Sequence, residues 1–242
     1  MAVFTEVPLE AARDLFEQLN VGKLQQLRGI AGGIENTNYF ATTDQGEYVL
    51  TLFERLRHEQ LPFYLYLMQH LAERGIAVPK PQANAAGEIL FTLCGKPAAV
   101  VDKLRGASQL QPQPVHCAKL GDLLARMHVA GQDFAMQQPN LRGLPWQNET
   151  APQVYPHLRA EQLDLLQEEL AYQNQIAASA AYAALPRGPV HADLFRDNVM
   201  FDGERLTGFF DFYFAGVDTF LFDLAVCLND WCIDLPSGQH DS

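Results

Sequence analysis

The stretch His191–Asp211, HADLFRDNVMFDGERLTGFFD, decides how this chain is read. It sets three polar side chains on one short turn-and-hairpin. Asp193 stands just after His191, Asn198 follows five residues after Asp193, and Asp211 comes thirteen after Asn198. The apolar flanks LPRGPV (185–190) and NVMF (198–201) read as short strands on either side of a polar loop. Asp202-Gly203-Glu204 is a tight turn, and RLTGFFDF (205–212) is the returning strand. A hairpin of that kind brings Asp211 back beside Asn198.

Those residue types have a chemical logic. A carboxylate on a rigid loop orients a hydroxyl and accepts its proton. An amide oxygen and a second carboxylate, brought together by a hairpin, hold Mg²⁺ on the phosphates of ATP. Kinase-like phosphotransferases use this order: Asp, four residues, Asn, then a metal-binding Asp at the end of the next strand. The bland alternative is three polar residues capping unrelated loops. Agreement of type, order and spacing favours the catalytic reading, with Asp193 as the catalytic group and Asn198 and Asp211 as metal ligands.

Composition sets the bounds. The chain has 242 residues, room for one large domain or two small lobes with a real core. It is 48% hydrophobic and 19% charged, ordinary for a globular protein. The formal net charge of −12 argues against a general nucleic-acid or anionic-membrane surface. ATP remains compatible, because its charge is met locally by metal and backbone N–H groups. Cys94, Cys117, Cys227 and Cys232 are scattered and form no CxxC or zinc pattern, which suits reduced thiols in a cytoplasmic protein. The start MAVFTEVPLEAARD lacks the basic and apolar run of a signal peptide, and no stretch approaches a membrane span.

Outward from the hairpin, the amino-terminal part alternates as a sheet. Leu9, Ala12, Phe16 and Leu19 recur at helical spacing and predict a short amphipathic helix ending near Asn20–Gly22. Strands are predicted at about 24–30, 37–43 and 47–53. The first turn, AGGIEN (31–36), holds Gly32 and Gly33, whose backbone amides can approach phosphates; a GG pair is also simply a turn. Asn36 and Asn38 either bond phosphates or stabilise that turn. Phe63, Leu67 and Leu71 predict a helix over 58–74, and EILFTLC and PAAVV predict two more strands. This gives a five-stranded antiparallel sheet with one main helix.

Residues 102–114 lose the strand pattern and mark the lobe boundary, with a crevice there suited to an adenine ring bonded to backbone groups near Val100–Lys103. We therefore divide the chain into a nucleotide-binding lobe (1–103), with Val101 and Lys103 at its edge, and a catalytic lobe (104–242). The second lobe reads as mostly helical: a helix through PVHCAKLGDLLARMH, a loop over 131–157 with room for a short turn of helix and anchored by Trp146, a long helix over 158–185 stopped by Pro186, and a last helix through DTFLFDLAVCLNDW.

HADLFRDNVMF, FFDF and FDLA together resemble the aminoglycoside/choline-kinase-like phosphotransferases, small-molecule relatives of the protein kinases. GGIENTNYFATTDQGEYVLTLFE, LAERGIAVPKP, GKPAAVVDKLRGAS and CAKLGDLLARMH are similar to the bacterial homoserine kinases built on that fold. The resemblance implies an α+β, bilobal, protein-kinase-like fold. It implies ATP and Mg²⁺ as cofactors and L-homoserine as the acceptor, phosphorylated on its side-chain hydroxyl for threonine biosynthesis. It makes Asp193 the catalytic aspartate, Asn198 and Asp211 the metal ligands, His191 a brace for the loop, and Asp223 the group that pins it from the following helix. Glu59 matches the helix glutamate that usually pairs with a strand lysine.

The chain departs from the family pattern in three places. Thr51 stands where the strand lysine is usual, leaving Arg55, Arg57 or backbone amides to neutralise phosphates. Ala192 replaces the arginine that receives an activation-loop phosphate in many protein kinases, so such control is not expected. Family members usually continue with more helices after the last one here, so the substrate side of the catalytic lobe is expected to be incomplete. Homoserine is zwitterionic and needs a cation for its carboxylate; Arg196 is a candidate, or else an exposed arginine beside Asp197. Two rival readings stay open: another amino alcohol, choline or an aminoglycoside as acceptor, or a nucleotide-binding pseudokinase.

Overall fold

The computed structural model of the chain describes residues 4–32, 35–234 and 237–240. Helix α1 (Leu9–Leu19) turns Ala12, Leu15, Phe16 and Leu19 inward, the face its spacing predicts, and ends where Asn20 adopts a left-handed conformation. That face packs on a sheet of β1 (Leu24–Gly29), β2 (Asn36–Thr43), β3 (Glu47–Phe53), β5 (Lys96–Asp102) and β4 (Phe91–Leu93), in that order and antiparallel throughout. Alternation along β2 sends Thr37, Tyr39, Ala41 and Thr43 into the core and presents Asn36, Asn38 and Phe40 to the other face. The five-stranded sheet is as the sequence predicts. Strand β4, however, is only three residues long, because Ile89 and Leu90 lie outside the ladder.

On the other face lies α2 (Pro62–Glu73), begun by Pro62 in its first turn. Residues 58–60 form a separate 3₁₀ turn, so the helix starts later than the pattern suggests. Leu65, Leu67 and Leu71 of α2 are wholly buried, each contributing about 1.5–3 kcal/mol of apolar burial.

The carboxy-terminal lobe carries α3 (Pro114–Gly131), α4 (Leu144–Val154), α5 (Ala160–Ala177), the single turn α6 (Ala180–Ala183) and α7 (Phe220–Trp231). Between them run two small sheets. Strand β7 (Arg187–Val190) pairs with β10 (Gly216–Thr219), while β8 (Val199–Asp202) and β9 (Arg205–Phe209) form the expected hairpin. A third strand, β6 (Ala107–Ser108), pairs with β8. The segment over 102–114 is therefore not free of strand: Gly106 lies so close to β8 that a Cβ there would collide with the Phe201 carbonyl oxygen.

Three helical expectations change. The predicted loop over 131–157 contains α4, a three-turn helix with Pro145 in its first turn. The long helix expected over 158–185 is broken at Ser179, whose hydroxyl accepts the Tyr182 N–H and starts α6. Residues 218–219, read as helix, belong to β10. A two-residue pair (Ile233–Asp234 with Gln239–His240) follows α7. No helix among the described residues is long and apolar enough to cross a membrane.

Candidate active site

Asp193, Asn198 and Asp211 share one cleft of about 720 Å³ between the lobes. Asp193 stands on the loop after β7, Asn198 at the end of a 3₁₀ turn (Arg196–Asn198), and Asp211 just past β9. Pairing of Val199 with Phe209 and a 3.0 Å bond from the Phe210 N–H to the Asn198 carbonyl bring Asp211 beside Asn198, as the hairpin requires. From the sheet and the turns beside it, Gly32, Asn36, Asn38, Val101 and Lys103 line the same cleft. Gly33, the other glycine singled out in the sequence, lies outside the described residues.

The loop carrying Asp193 is held from beneath. Asp223, fully buried at the start of α7, accepts the His191 N–H at 2.9 Å and the Ala192 N–H at 2.7 Å. Its Oδ2 also takes a 2.8 Å hydrogen bond from His128 Nε2. Ala192 is left-handed, with φ 65°, a conformation a non-glycine residue keeps only when its surroundings enforce it. His191 Nδ1 accepts the Asp193 N–H at 3.3 Å, so its Nε2 is the protonated nitrogen that donates to the Phe210 carbonyl at 2.9 Å. Both nitrogens are used and burial lowers the imidazole pKa, so His191 is a neutral brace.

Asn198 Nδ2 donates to the Asp193 carbonyl at 2.8 Å and to Asp193 Oδ2 at 3.1 Å. That fixes the amide and leaves its Oδ1 as the atom with capacity to spare. Among the described residues the Tyr213 backbone N–H is the donor that acts on the Asp211 carboxylate. An amide oxygen and a carboxylate presented side by side are hard donors that fit Mg²⁺ or Ca²⁺ once phosphate oxygens and water complete the shell.

The electrostatics agree. Burial raises the Asp193 pKa to about 6, with the Asp211, Asp197 and Glu35 charges adding and the Asn198 bond opposing. Burial also raises Asp211 to about 6, reinforced by Glu35 and Asp197. A cleft with this surplus of negative charge is matched to a cation, or to a ligand that carries one.

Other expected groups are placed differently. Glu59 is in the 3₁₀ turn before α2, exposed, and 3.8 Å from Arg57, so it has no part in a Lys–Glu bridge. Thr51 lines the cleft and donates to Asn38 Oδ1 at 2.7 Å. Arg55 lies 3.5 Å from Glu35. Arg196 is buried, not exposed: its Nε bonds Asp230 Oδ2 at 3.1 Å and its other nitrogens bond the Asp230, Leu110 and Ile233 carbonyls. It is therefore spent on holding α7 to the catalytic loop and has nothing left for an acceptor. The Asp102 and Lys103 N–H groups, expected near an adenine, are bonded to the Lys80 and Glu47 carbonyls. Glu35, Asp197 and Tyr213 line the cleft without having been singled out. Glu35 was within reach of sequence reasoning, since it sits in the same turn as the glycines.

A bilobal α+β frame with an Asp–Asn–Asp cleft defines a kinase-like phosphotransferase. The chain belongs to the phosphotransferase enzyme family, which matches residues 26–241. Within that family it is 66% identical over 242 residues to a homoserine kinase of Polaromonas naphthalenivorans, covering all of this chain and 77% of that protein. It is 59% identical over 241 residues to a homoserine kinase of a Janthinobacterium species, covering 75% of that one. Among solved structures, an amicoumacin kinase in complex with AMP-PNP and Ca²⁺ superposes with a TM-score of 0.70 at 20% identity, over 90% of this chain and 68% of that one. An aminoglycoside phosphotransferase in ternary complex with AMP-PNP and hygromycin B gives 0.60 at 16% identity, over 89% and 75%. At those identities the structures speak for the fold.

Proposed function

We propose that this chain transfers the γ-phosphoryl group of ATP to the side-chain hydroxyl of L-homoserine, giving O-phospho-L-homoserine for threonine biosynthesis. Similarity to homoserine kinases along the whole chain supports the acceptor. The observation that carries the chemistry is the meeting of Asp193, Asn198 and Asp211 in one cleft.

The Asp193 carboxylate orients the acceptor hydroxyl toward the γ-phosphorus and takes its proton as the new O–P bond forms and the bond to the ADP oxygen breaks. Its ordinary pKa would leave it a weak base; the raised value makes it a better match for that proton. Asn198 Oδ1 and the Asp211 carboxylate would hold Mg²⁺, which when bound offsets charge on the phosphates. Gly32, Gly33 and Asn36 would contact the phosphates from the β1–β2 turn. Thr51 donates to Asn38 Oδ1, which turns the Asn38 Nδ2 donor outward, so a neutral amide partly stands in for the missing lysine. Val101 and Lys103 would bound the adenine. In this reading residues 1–103 bind the nucleotide and 104–242 supply the catalytic groups, in a cytoplasmic enzyme acting on a small molecule.

Coupled ADP release tests the reading, with L-homoserine set against choline and an aminoglycoside. L-homoserine should be phosphorylated best, and Asp193→Asn should lower its turnover by about 10²–10⁴-fold. Undiminished turnover by that variant rejects Asp193 as the acid–base group.

A further inference from the structure

The proposed acceptor carries a carboxylate as well as a hydroxyl, and the need for a carboxylate site rests on that reading. A carboxylate brought up to Asp193 meets Glu35, Asp197 and Asp211, all of its own sign. The cation among the described lining residues, Lys103, sits at the sheet end of the cleft, bonded to Glu47 at 2.8 Å and lying over Phe40. Arg196 is committed to Asp230. None of these groups can take the acceptor's carboxylate.

Arg142 is placed to do so. Its guanidinium carbon lies 5.3 Å from the centre of the Phe214 ring and 4.9 Å from that of Trp146. Phe214 lines the cleft and stands three residues after Asp211. Among the described residues no carboxylate lies within ion-pair distance of Arg142, which is exposed. Its charge also acts on the Tyr64 phenol, whose ring packs edge-on against Tyr213 in the cleft wall. The charge thus lies against the ring of a cleft-lining residue, one aromatic ring from the proposed metal-binding turn.

The backbone beneath Arg142 is built, not loose. Buried Asn140 accepts the Arg142 N–H at 2.9 Å and donates to Asp218 at 2.9 Å. Gln138 accepts the Val217 N–H at 2.7 Å and donates to the Ala215 carbonyl at 3.2 Å. Gly216 touches this loop so closely that a Cβ there would lie 2.7 Å from the Asn140 Cα. The loop is thereby locked to β10, the strand that follows the metal-binding turn. A guanidinium stacked on two rings over a fixed backbone loses little freedom when it binds, and its planar fork suits a carboxylate.

We propose that Arg142 binds the acceptor's carboxylate and selects amino-acid alcohols over amino alcohols that lack the acid. The probes are L-homoserine and 3-aminopropan-1-ol, the same molecule without its carboxylate. Arg142→Gln should raise the KM for L-homoserine about 10–100-fold, the loss expected for a hydrogen bond to a charged group. The KM for ATP and the slow turnover of 3-aminopropan-1-ol should not change, so the preference between the two alcohols collapses. Arg142→Lys, which keeps the charge and the stem but not the fork, should fall between. It also preserves the test if the glutamine variant folds poorly. An unchanged homoserine KM, or a rise shared equally by all three ligands, overturns the assignment. A wild-type chain that phosphorylates no L-homoserine overturns the acceptor reading itself, an outcome seen before any variant is made.

Discussion

Asp211 combines a left-handed backbone, φ 67°, with a partly buried carboxylate beside Glu35 and Asp197. Its pKa of about 6 lies above the unfolded value near 4, so the folded chain binds that proton more tightly than the unfolded one. The stabilisation is fully present below about pH 4 and is lost as pH rises through about 6. Above that, the ionised group works against the fold. Asparagine tolerates the left-handed region as well as aspartate does and removes the charge. Asp211→Asn should therefore raise the unfolding free energy of the ligand-free protein by about 1–2 kcal/mol at pH 7.5, after allowing for partial solvent screening. The gain should vanish near pH 4. Urea unfolding at both pH values measures it, and a variant less stable than wild type at pH 7.5 refutes the account. Asp193, Asn198 and Asp211 were legible in the sequence because their order and spacing are imposed by one local hairpin. Arg196 was misread because its partner, Asp230, lies a helix away, and nothing local announces a buried ion pair.

At the scale of elements, α7 and the catalytic loop form a unit through Asp223. One buried carboxylate accepts two consecutive backbone N–H groups and the His128 Nε2 donor. Asp223→Ala leaves these donors unsatisfied and should cost about 3–5 kcal/mol, whereas Asp223→Asn keeps an acceptor oxygen and should cost less. Denaturant midpoints of the two variants decide it, and equal losses would mean the carboxylate is not the bond that matters. Helix α1 and strand β2 were readable because each buries one face and so carries a clean period, whereas β3 and β5 were readable as short apolar runs buried on both faces. Helix α4 was hidden by Pro145, Asn148 and Pro152, of which Pro145 falls in the first turn, where its missing N–H costs nothing. Strand β6 is two residues long and exists only because β8 lies beside it, so no window of sequence could reveal it.

Across the whole molecule, the lobes share apolar packing as well as a cleft. One buried cluster joins Phe53 of β3 and Leu61, Leu67 and Leu71 around α2 to Leu194, Phe209 and Phe212 of the catalytic loop and hairpin. The Phe209 N–H reaches the Ala77 carbonyl at 3.1 Å, and Tyr213 packs edge-on against Phe53 and Tyr64. With the lobes tied in this way, a ligand that touches both should stabilise the chain as one cooperative unit. Magnesium with AMP-PNP at about 100 times its Kd contributes about 2.7 kcal/mol, which corresponds to a rise in Tm of about 5–10 °C for a chain of this size. If Asp211 holds the metal as proposed, Asp211→Asn should lose most of that shift. Asp193→Asn should keep it, since the proposed mechanism gives that carboxylate to the acceptor hydroxyl. Differential scanning calorimetry separates these outcomes: one transition that moves as a whole supports the shared core. Two transitions with only the earlier one moved would show lobes that melt apart, and a full shift in Asp211→Asn would remove that residue from the metal site.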